Sequence, residues 1–265
     1  MILVTGATGH IGRDIAGRLS EAGASVRALT RHPATASLPS QVDALRGDLT
    51  EPESVRRALD GVDRLYLYSA AHATTEFLDL ASRAGVRRVV MLSGLGTSPD
   101  VVERAVGAAG IEWTHLRPGA FATNALQWAP SVRANGVVRT PYGDATDAPI
   151  HEADIGEVAA AALLREDHVG RRYELTGPES LTYREQVALI GEAIGRDIAF
   201  IEESPEQARE RMIRTIPEAI VEELLGLWAD RVGEPAAVLP TVRALTGHPA
   251  RTFAQWAADH AADFG

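Results

Sequence analysis

Two hydrophobic periods alternate along the first two thirds of this 265-residue chain. Apolar runs of strand length stand at 2–5, 25–30, 42–46, 63–69, 87–93 and 112–116. Between them, residues 11–22, 51–59, 74–84 and 99–109 repeat their apolar positions every three to four residues, the helical spacing. Pro52 follows Thr50 and Glu51 and suits a first helical turn. Gly23, Gly61, Gly85 and Gly110 fall just past four of the helices, where a left-handed cap is wanted. Such alternation with short connections predicts an α/β fold: a doubly wound parallel sheet with right-handed crossovers and helices on both faces. After Pro118 the rhythm changes. A loop-rich stretch with a short strand at 137–140 leads to Asp154, expected to cap an alanine-rich helix at 155–164. A strand at 171–176, a helix at 182–194, a strand at 198–202 and mostly helix follow. The expected organisation is a domain over 1–176 and a smaller α-rich domain over 177–265 that closes a substrate cleft.

The first apolar run, Ile2-Leu-Val4, enters three glycines spaced Gly6-x-x-Gly9-x-x-Gly12, and a helical pattern begins at once. Strand, glycine turn and helix in this order are how a Rossmann fold seats a pyrophosphate on a helix N-terminus. Gly6 permits the turn, Gly9 leaves the backbone bare towards a phosphate, and Gly12 lets helix and strand pack closely. The second strand decides which nucleotide fits. An acid at its end would bind a ribose 2′-hydroxyl, whereas an arginine pairs a 2′-phosphate. Residues 24–42 hold no acid, and the strand ends Thr30-Arg31-His32, so NADPH is expected over NADH. Asp48 in Gly47-Asp48-Leu49 stands where a carboxylate could take the adenine amino group, with Leu49 over the ring; a turn or cap role suits it almost equally. Ser69 and Ser93 follow two later strands at the edge where open α/β sheets bind ligands.

Composition narrows the chemistry. All 26 basic residues are arginine, so neither a Schiff base nor a Tyr-x-x-x-Lys dyad is available. Without cysteine, disulfides and thiolate chemistry are excluded. A net charge of −10 argues against a sequence-independent grip on nucleic acid. No apolar run nears the ~20 residues that span a bilayer, and no leader precedes the first strand, so a cytoplasmic protein without membrane partners is expected. His151 and Asp154 share an i, i+3 spacing, but no metal site is expected. Tyr66, Tyr68 and loop residue Tyr142 are candidate proton donors, with Tyr142 also a candidate substrate-lining residue. Arg87-Arg88 and Arg171-Arg172 are read as solvated strand ends, and the four tryptophans as packing residues.

These motifs, with Val26-Arg-Ala-Leu-Thr-Arg31, Val89-Val-Met-Leu-Ser93, Thr114-His-Leu-Arg-Pro-Gly-Ala-Phe121-x-x-Asn124, Asp154-Ile-Gly156, Tyr173-Glu-Leu-Thr-Gly-Pro178 and Gly247-His-Pro249, resemble the NmrA-like atypical short-chain dehydrogenase/reductases over nearly the whole chain. The resemblance is greatest to bacterial NAD(P)H:quinone oxidoreductase-like members. It implies that Gly6, Thr8, Gly9, His10, Ile11, Gly12 and Arg31 hold phosphates and that Asp48 and Leu49 frame the adenine. It also implies that Ser69, Ser93 and Pro118 line ribose and nicotinamide, and that Phe121 and Asn124 line the substrate. Two departures stand out. The segment after Leu95 is short and lacks the Lys or His of many relatives, although Glu103 matches a family glutamate. No catalytic acid is therefore assigned. The implied activity is NADPH-dependent hydride transfer to a quinone, enone, ketone or imine; the alternative is a non-catalytic NADP(H)-binding redox sensor, which the family also contains.

Overall fold

The computed structural model describes residues 1–68, 74–93 and 100–265. The strands are β1 (Ile2–Val4), β2 (Val26–Thr30), β3 (Asp43–Arg46), β4 (Arg64–Tyr68), β5 (Arg88–Leu92), β6 (Glu112–Pro118), β7 (Val137–Thr140), β8 (Thr146–Asp147), β9 (Arg171–Leu175), β10 (Leu181–Thr182) and β11 (Ala199–Glu202). The helices are α1 (His10–Glu21), α2 (Pro52–Leu59), α3 (Thr74–Arg83), α4 (Asp100–Ala108), α5 (Ala129–Asn135), α6 (Glu152–Leu164), α7 (Tyr183–Ile194), α8 (Pro205–Met212), α9 (Glu218–Asp230), α10 (Thr241–Thr246), α11 (Phe253–Asp259) and α12 (Ala261–Phe264). The elements form two compact units: 1–118 with 152–175 and 241–248, and 119–151 with 176–240 and 249–265. The sequence suggested one change of unit near residue 176; in the fold the chain passes between the units repeatedly, starting at Pro118.

In the first unit, among the described residues, a seven-stranded sheet runs β3-β2-β1-β4-β5-β6-β9, with every pair parallel. Strand order reverses beside β1, and such a switch point is where open α/β sheets bind ligands. Alternation along the strands sends Leu3, Leu65, Leu67, Val89 and Met91 into one core, with Val55 and Leu59 of α2, Phe77 and Leu78 of α3, and Val102 and Val106 of α4. Helices α1 and α6 pack together elsewhere in the unit, so closely at Gly156 that the Asp14 carboxylate fills the space a Cβ would need. Gly23, Gly61, Gly85 and Gly110 all adopt the left-handed cap that the sequence suggests. Two expectations fail. Helix α6 begins at Glu152, so Asp154 lies within its first turn, fully buried, and is not its cap. Arg88 is buried instead of solvated: its Nε and Nη2 donate to Glu112 at 3.1 and 2.9 Å, and its Nη1 to the Arg165 carbonyl at 3.0 Å.

The second unit pairs β7 with β11 in parallel and β8 with β10 antiparallel. Its core gathers Trp128, Tyr183, Val187, Ile190, Phe253, Trp256 and Phe264. Helix α7 starts at a capping box, Thr182 with Glu185, and stops at left-handed Gly195. The Tyr183 hydroxyl donates to buried Asp147 at 3.0 Å, and Arg231 pairs with the same carboxylate. Among the described residues no helix is long and apolar enough to cross a membrane.

Candidate functional site

The strongest candidate site lies where β1 ends. Thr5 is fully buried and ties β1 to β4: its hydroxyl donates to the Tyr66 carbonyl at 3.0 Å and accepts from the Tyr68 amide at 2.8 Å. The chain then turns at Gly6, whose φ of +62° suits glycine, and the Gly9 amide donates back to the Gly6 carbonyl at 3.0 Å. A Cβ on Gly12 would stand 2.7 Å from the Gly6 carbonyl carbon and 2.9 Å from the Ala7 Cα, so only glycine lets α1 lie this close to the turn. Gly9 is the N-cap of α1 and makes no side-chain cap hydrogen bond, an arrangement that suits an anion at the positive end of the helix. A Cβ there would meet nothing nearer than the Gly6 oxygen at 3.4 Å. This bare, uncapped helix start fits a pyrophosphate. Thr8 and His10 are exposed beside it, Ile11 is half-buried, and the Thr8 carbonyl accepts from Arg13 at 3.1 Å.

Arg31 is exposed past the end of β2, and its charge reaches Asp48 past the end of β3. The Asp48 carboxylate accepts from the Thr50 amide at 2.9 Å and the Thr50 hydroxyl at 2.8 Å. Those bonds, followed by the Arg31 charge, hold it below the usual carboxylate range. The turn role weighed for Asp48 is thus present in the fold. Leu49 is half-buried against the core of α2–α4. The three residues meet in one corner of the first unit.

Ser93 follows β5, and its hydroxyl is engaged, donating to Glu103 Oε1 at 2.9 Å and approaching the Leu116 carbonyl at 3.3 Å. Glu103, buried on α4, also takes Arg117 Nε at 2.8 Å, Arg117 Nη2 at 2.5 Å and Arg172 Nε at 3.3 Å. Burial alone would raise its pKa, but the bonds from Arg117 and Ser93 prevail and bring it down to about 2. Neither group offers a proton near neutral pH. Tyr66 is buried, its hydroxyl lacks a partner among the described residues, and burial pushes its pKa up. Tyr68 is exposed, with its Cβ beside Gly6. Pro118 ends β6. Ser69 and most of the short segment after Leu95 lie outside the described residues.

Phe121, Asn124 and Tyr142 all belong to the second unit. Phe121 bridges to Ile150, Asn124 is exposed on a short 3₁₀ turn, and Tyr142 has a φ of 54°. A tyrosine in that left-handed region bears a strain of about 1–3 kcal/mol, of the kind concentrated at functional sites. His151 is buried against Asp259 at 3.3 Å, and the described residues hold no group of metal ligands. The cluster around Glu103 was the least expected feature. Strand alternation in Trp113-Thr-His115-Leu-Arg117 places three chemically capable side chains on one face, and that was the available signal.

Residues 6–166 match a family model described as NAD(P)H-binding. The chain is 40% identical, over its full length and 99% of the relative, to the (4-alkanoyl-5-oxo-2,5-dihydrofuran-3-yl)methyl phosphate reductase of Streptomyces griseus. This chain belongs to the NmrA-like atypical short-chain dehydrogenase/reductases, a family of NAD(P)H-dependent oxidoreductases. It is also 35% identical, over its full length and 99% of the relative, to the NAD(P)H azoreductase of Xenophilus azovorans. The NADPH-dependent quinone oxidoreductase of Escherichia coli, solved with NADPH, superposes over 98% of this chain and 99% of its own with a TM-score of 0.82 and 25% identity.

Proposed function

We propose that this chain is a reductase that uses NADPH in preference to NADH and acts on a small molecule with an electron-poor conjugated double bond: an enone, quinone or imine-like acceptor. The observation that carries the reading is end-to-end identity of 35–40% with two reductases, one of them an NAD(P)H azoreductase, in a chain that keeps the bare glycine turn. The substrates in those relatives' names, an unsaturated oxo-furan and an azo compound, share a polarised π bond able to accept hydride.

Gly6, Thr8, Gly9, His10, Ile11 and Gly12 hold the pyrophosphate on the start of α1, and Arg31 pairs the 2′-phosphate. Asp48 and Leu49 frame the adenine; Ser69, Ser93 and Pro118 line the ribose and nicotinamide. Phe121, Asn124 and Tyr142 contact the acceptor. A reduced nicotinamide supplies the hydride, and the chain's contribution is orientation and exclusion of water. With Ser93 bound to an ionised Glu103, Tyr66 buried and lysine absent, the proton comes from water or from the substrate itself.

NADPH oxidation with a butenolide, a quinone and an azo dye is the direct test, run beside Arg31→Ala. A charged hydrogen bond to phosphate contributes about 1.5–3 kcal/mol, so Arg31→Ala should weaken NADPH by about one to two decades and barely alter NADH. Tight NADP(H) binding without turnover on any acceptor would support a redox sensor instead. An equal loss of both cofactors would remove Arg31 from the 2′-phosphate.

A further inference from the structure

Ser93, Glu103, Arg117 and Arg172 all lie in the first unit and share one hydrogen-bond set centred on the Glu103 carboxylate. An ionised carboxylate offers about four lone-pair sites. Those of Oε1 take the Ser93 hydroxyl at 2.9 Å and Arg117 Nε at 2.8 Å. Those of Oε2 take Arg117 Nη2 at 2.5 Å and Arg172 Nε at 3.3 Å. No site is left over, and the side chain is only 3% exposed, so Glu103 has no direct contact to offer a ligand. Ser93 does. A hydroxyl carries one proton and two lone pairs. The Ser93 proton goes to Glu103, with the Leu116 carbonyl at 3.3 Å as a second acceptor in reach. The same carbonyl takes the Ser93 amide at 2.8 Å, which pins the residue to β6. A carboxylate and a carbonyl cannot donate, so the lone pairs of the Ser93 oxygen are unclaimed among the described residues. The residue is half-buried, not sealed in the core.

We propose that Glu103 is a positioning residue that fixes Ser93 as a hydrogen-bond acceptor towards the bound cofactor. The inference rests on the reading that Ser93 lines the ribose and nicotinamide. An acceptor there selects a donor of the cofactor: a hydroxyl of the nicotinamide ribose or the carboxamide N–H. Without Glu103 the Ser93 proton is free to point elsewhere, and the lone pairs lose their fixed direction. The arginines make the arrangement durable. Their bonds hold the carboxylate ionised near neutral pH, so it accepts from Ser93 and never donates to it. Arg117 engages both carboxylate oxygens, which fixes the plane from which Ser93 is held. Glu103 thus reaches the cofactor through Ser93 alone, and once the serine hydroxyl is removed the group at position 103 should no longer matter to binding.

The test is a double-mutant cycle on NADPH affinity, measured by calorimetry on the full chain with thermal melts alongside. Ser93→Ala should weaken NADPH about three- to tenfold, the equivalent of one neutral hydrogen bond. Glu103→Gln should weaken it to the same extent, and the double variant no further than Ser93→Ala alone. Glu103→Asp keeps a carboxylate that the long arginine side chains can follow but withdraws it from Ser93 by one methylene. It should show the same loss, and it carries the test if Glu103→Gln does not fold. Arg172→Met removes one guanidinium from Glu103 without touching Ser93, so it should lower Tm and leave NADPH affinity unchanged. The reduced 3-acetylpyridine analogue of NADPH, which has no carboxamide N–H, separates the two donors. A Ser93→Ala loss that vanishes with the analogue identifies the carboxamide, and one that persists identifies the ribose hydroxyl. Losses that add in the double variant overturn the proposal. A Ser93→Ala loss with full affinity in the Glu103 variants overturns the positioning role alone. Wild-type affinity in Ser93→Ala overturns it together with the placement of Ser93 at the cofactor.

Discussion

Replacing Gly12 with alanine is expected to destabilise the protein, against the ordinary effect of that exchange in a helix. Gly12 and Gly17 both lie in α1, where alanine should be favoured over glycine by about 0.8–1 kcal/mol. At Gly17 a Cβ meets nothing within 4 Å, so Gly17→Ala should realise most of that gain. At Gly12 the same atom would fall 2.7 Å from the Gly6 carbonyl carbon and 2.9 Å from the Ala7 Cα. Both neighbours are backbone, fixed at the end of β1, so no side chain can rotate away. Overpacking of this kind costs about 1–3 kcal/mol, occasionally more. After the helical gain is subtracted, Gly12→Ala should lose up to about 2 kcal/mol, and the two variants should differ by about 1–3 kcal/mol. In a chain of this size that difference is roughly 2–10 °C in Tm. Gly9→Val separates stability from binding, because its Cβ has room but would occupy the cofactor's approach. It should keep native circular dichroism and lose NADPH fluorescence enhancement. Thermal melts of all three variants, with NADPH titrations, form the assay. Equal Tm values for Gly12→Ala and Gly17→Ala would refute the packing argument, and retained NADPH binding in Gly9→Val would reduce the glycines to a turn.

Asp48→Ala should weaken NADPH and NADH alike, since the adenine is common to both, in contrast to Arg31→Ala; paired titrations distinguish the two positions. Ser93→Ala, Tyr68→Phe and Tyr142→Phe should each lower kcat by less than about 10²-fold, because removal of a positioned general acid costs 10²–10⁴-fold. One variant losing three decades while keeping NADPH affinity would identify a dedicated acid. Tyr66→Phe should raise stability by about 1 kcal/mol in denaturant titrations, since it removes a buried hydroxyl without a partner among the described residues. Burial pushes the His115 pKa from 6.5 down to about 4, with Arg172 and Arg117 adding to it and Glu103 opposing. The unfolded chain therefore binds more protons between those values, so this contribution to stability is complete above about pH 6.5 and is lost as pH falls towards 4. His115→Gln should flatten that part of the pH–stability curve; an unaltered curve would contradict the assignment.

The sheet was legible because its strands and helices carry uninterrupted periods and end on glycines that only a left-handed cap explains. The glycine turn was legible for a related reason: its spacing is dictated by backbone approach, which no side-chain context alters. Asp154 was misread because an aspartate before an apolar run looks like a cap, whereas α6 begins two residues earlier and buries it. Arg88 was misread because its partners, Glu112 and the Arg165 carbonyl, come from distant parts of the chain. The cluster around Glu103 escaped for the same reason, since α4, β6 and β9 meet only in three dimensions. The interleaving of the two units was only partly visible: the rhythm changes after Pro118, but nothing in the composition marks the return of 152–175 and 241–248 to the first unit.

That interleaving bears on how the protein emerges from the ribosome. When synthesis reaches Pro118, six of the seven sheet strands exist, but β6 has a neighbour on one side only. Its other edge waits for β9, and α1 waits for α6, until the chain has made the whole 119–151 excursion into the other unit. For that interval the nascent chain presents an unpaired parallel edge, the kind of template on which another strand can add. The partner that closes the edge is also the strand that brings Arg172 to Glu103, so the last arginine contact of that buried carboxylate, already paired by Arg117 of β6, forms only when the sheet is complete.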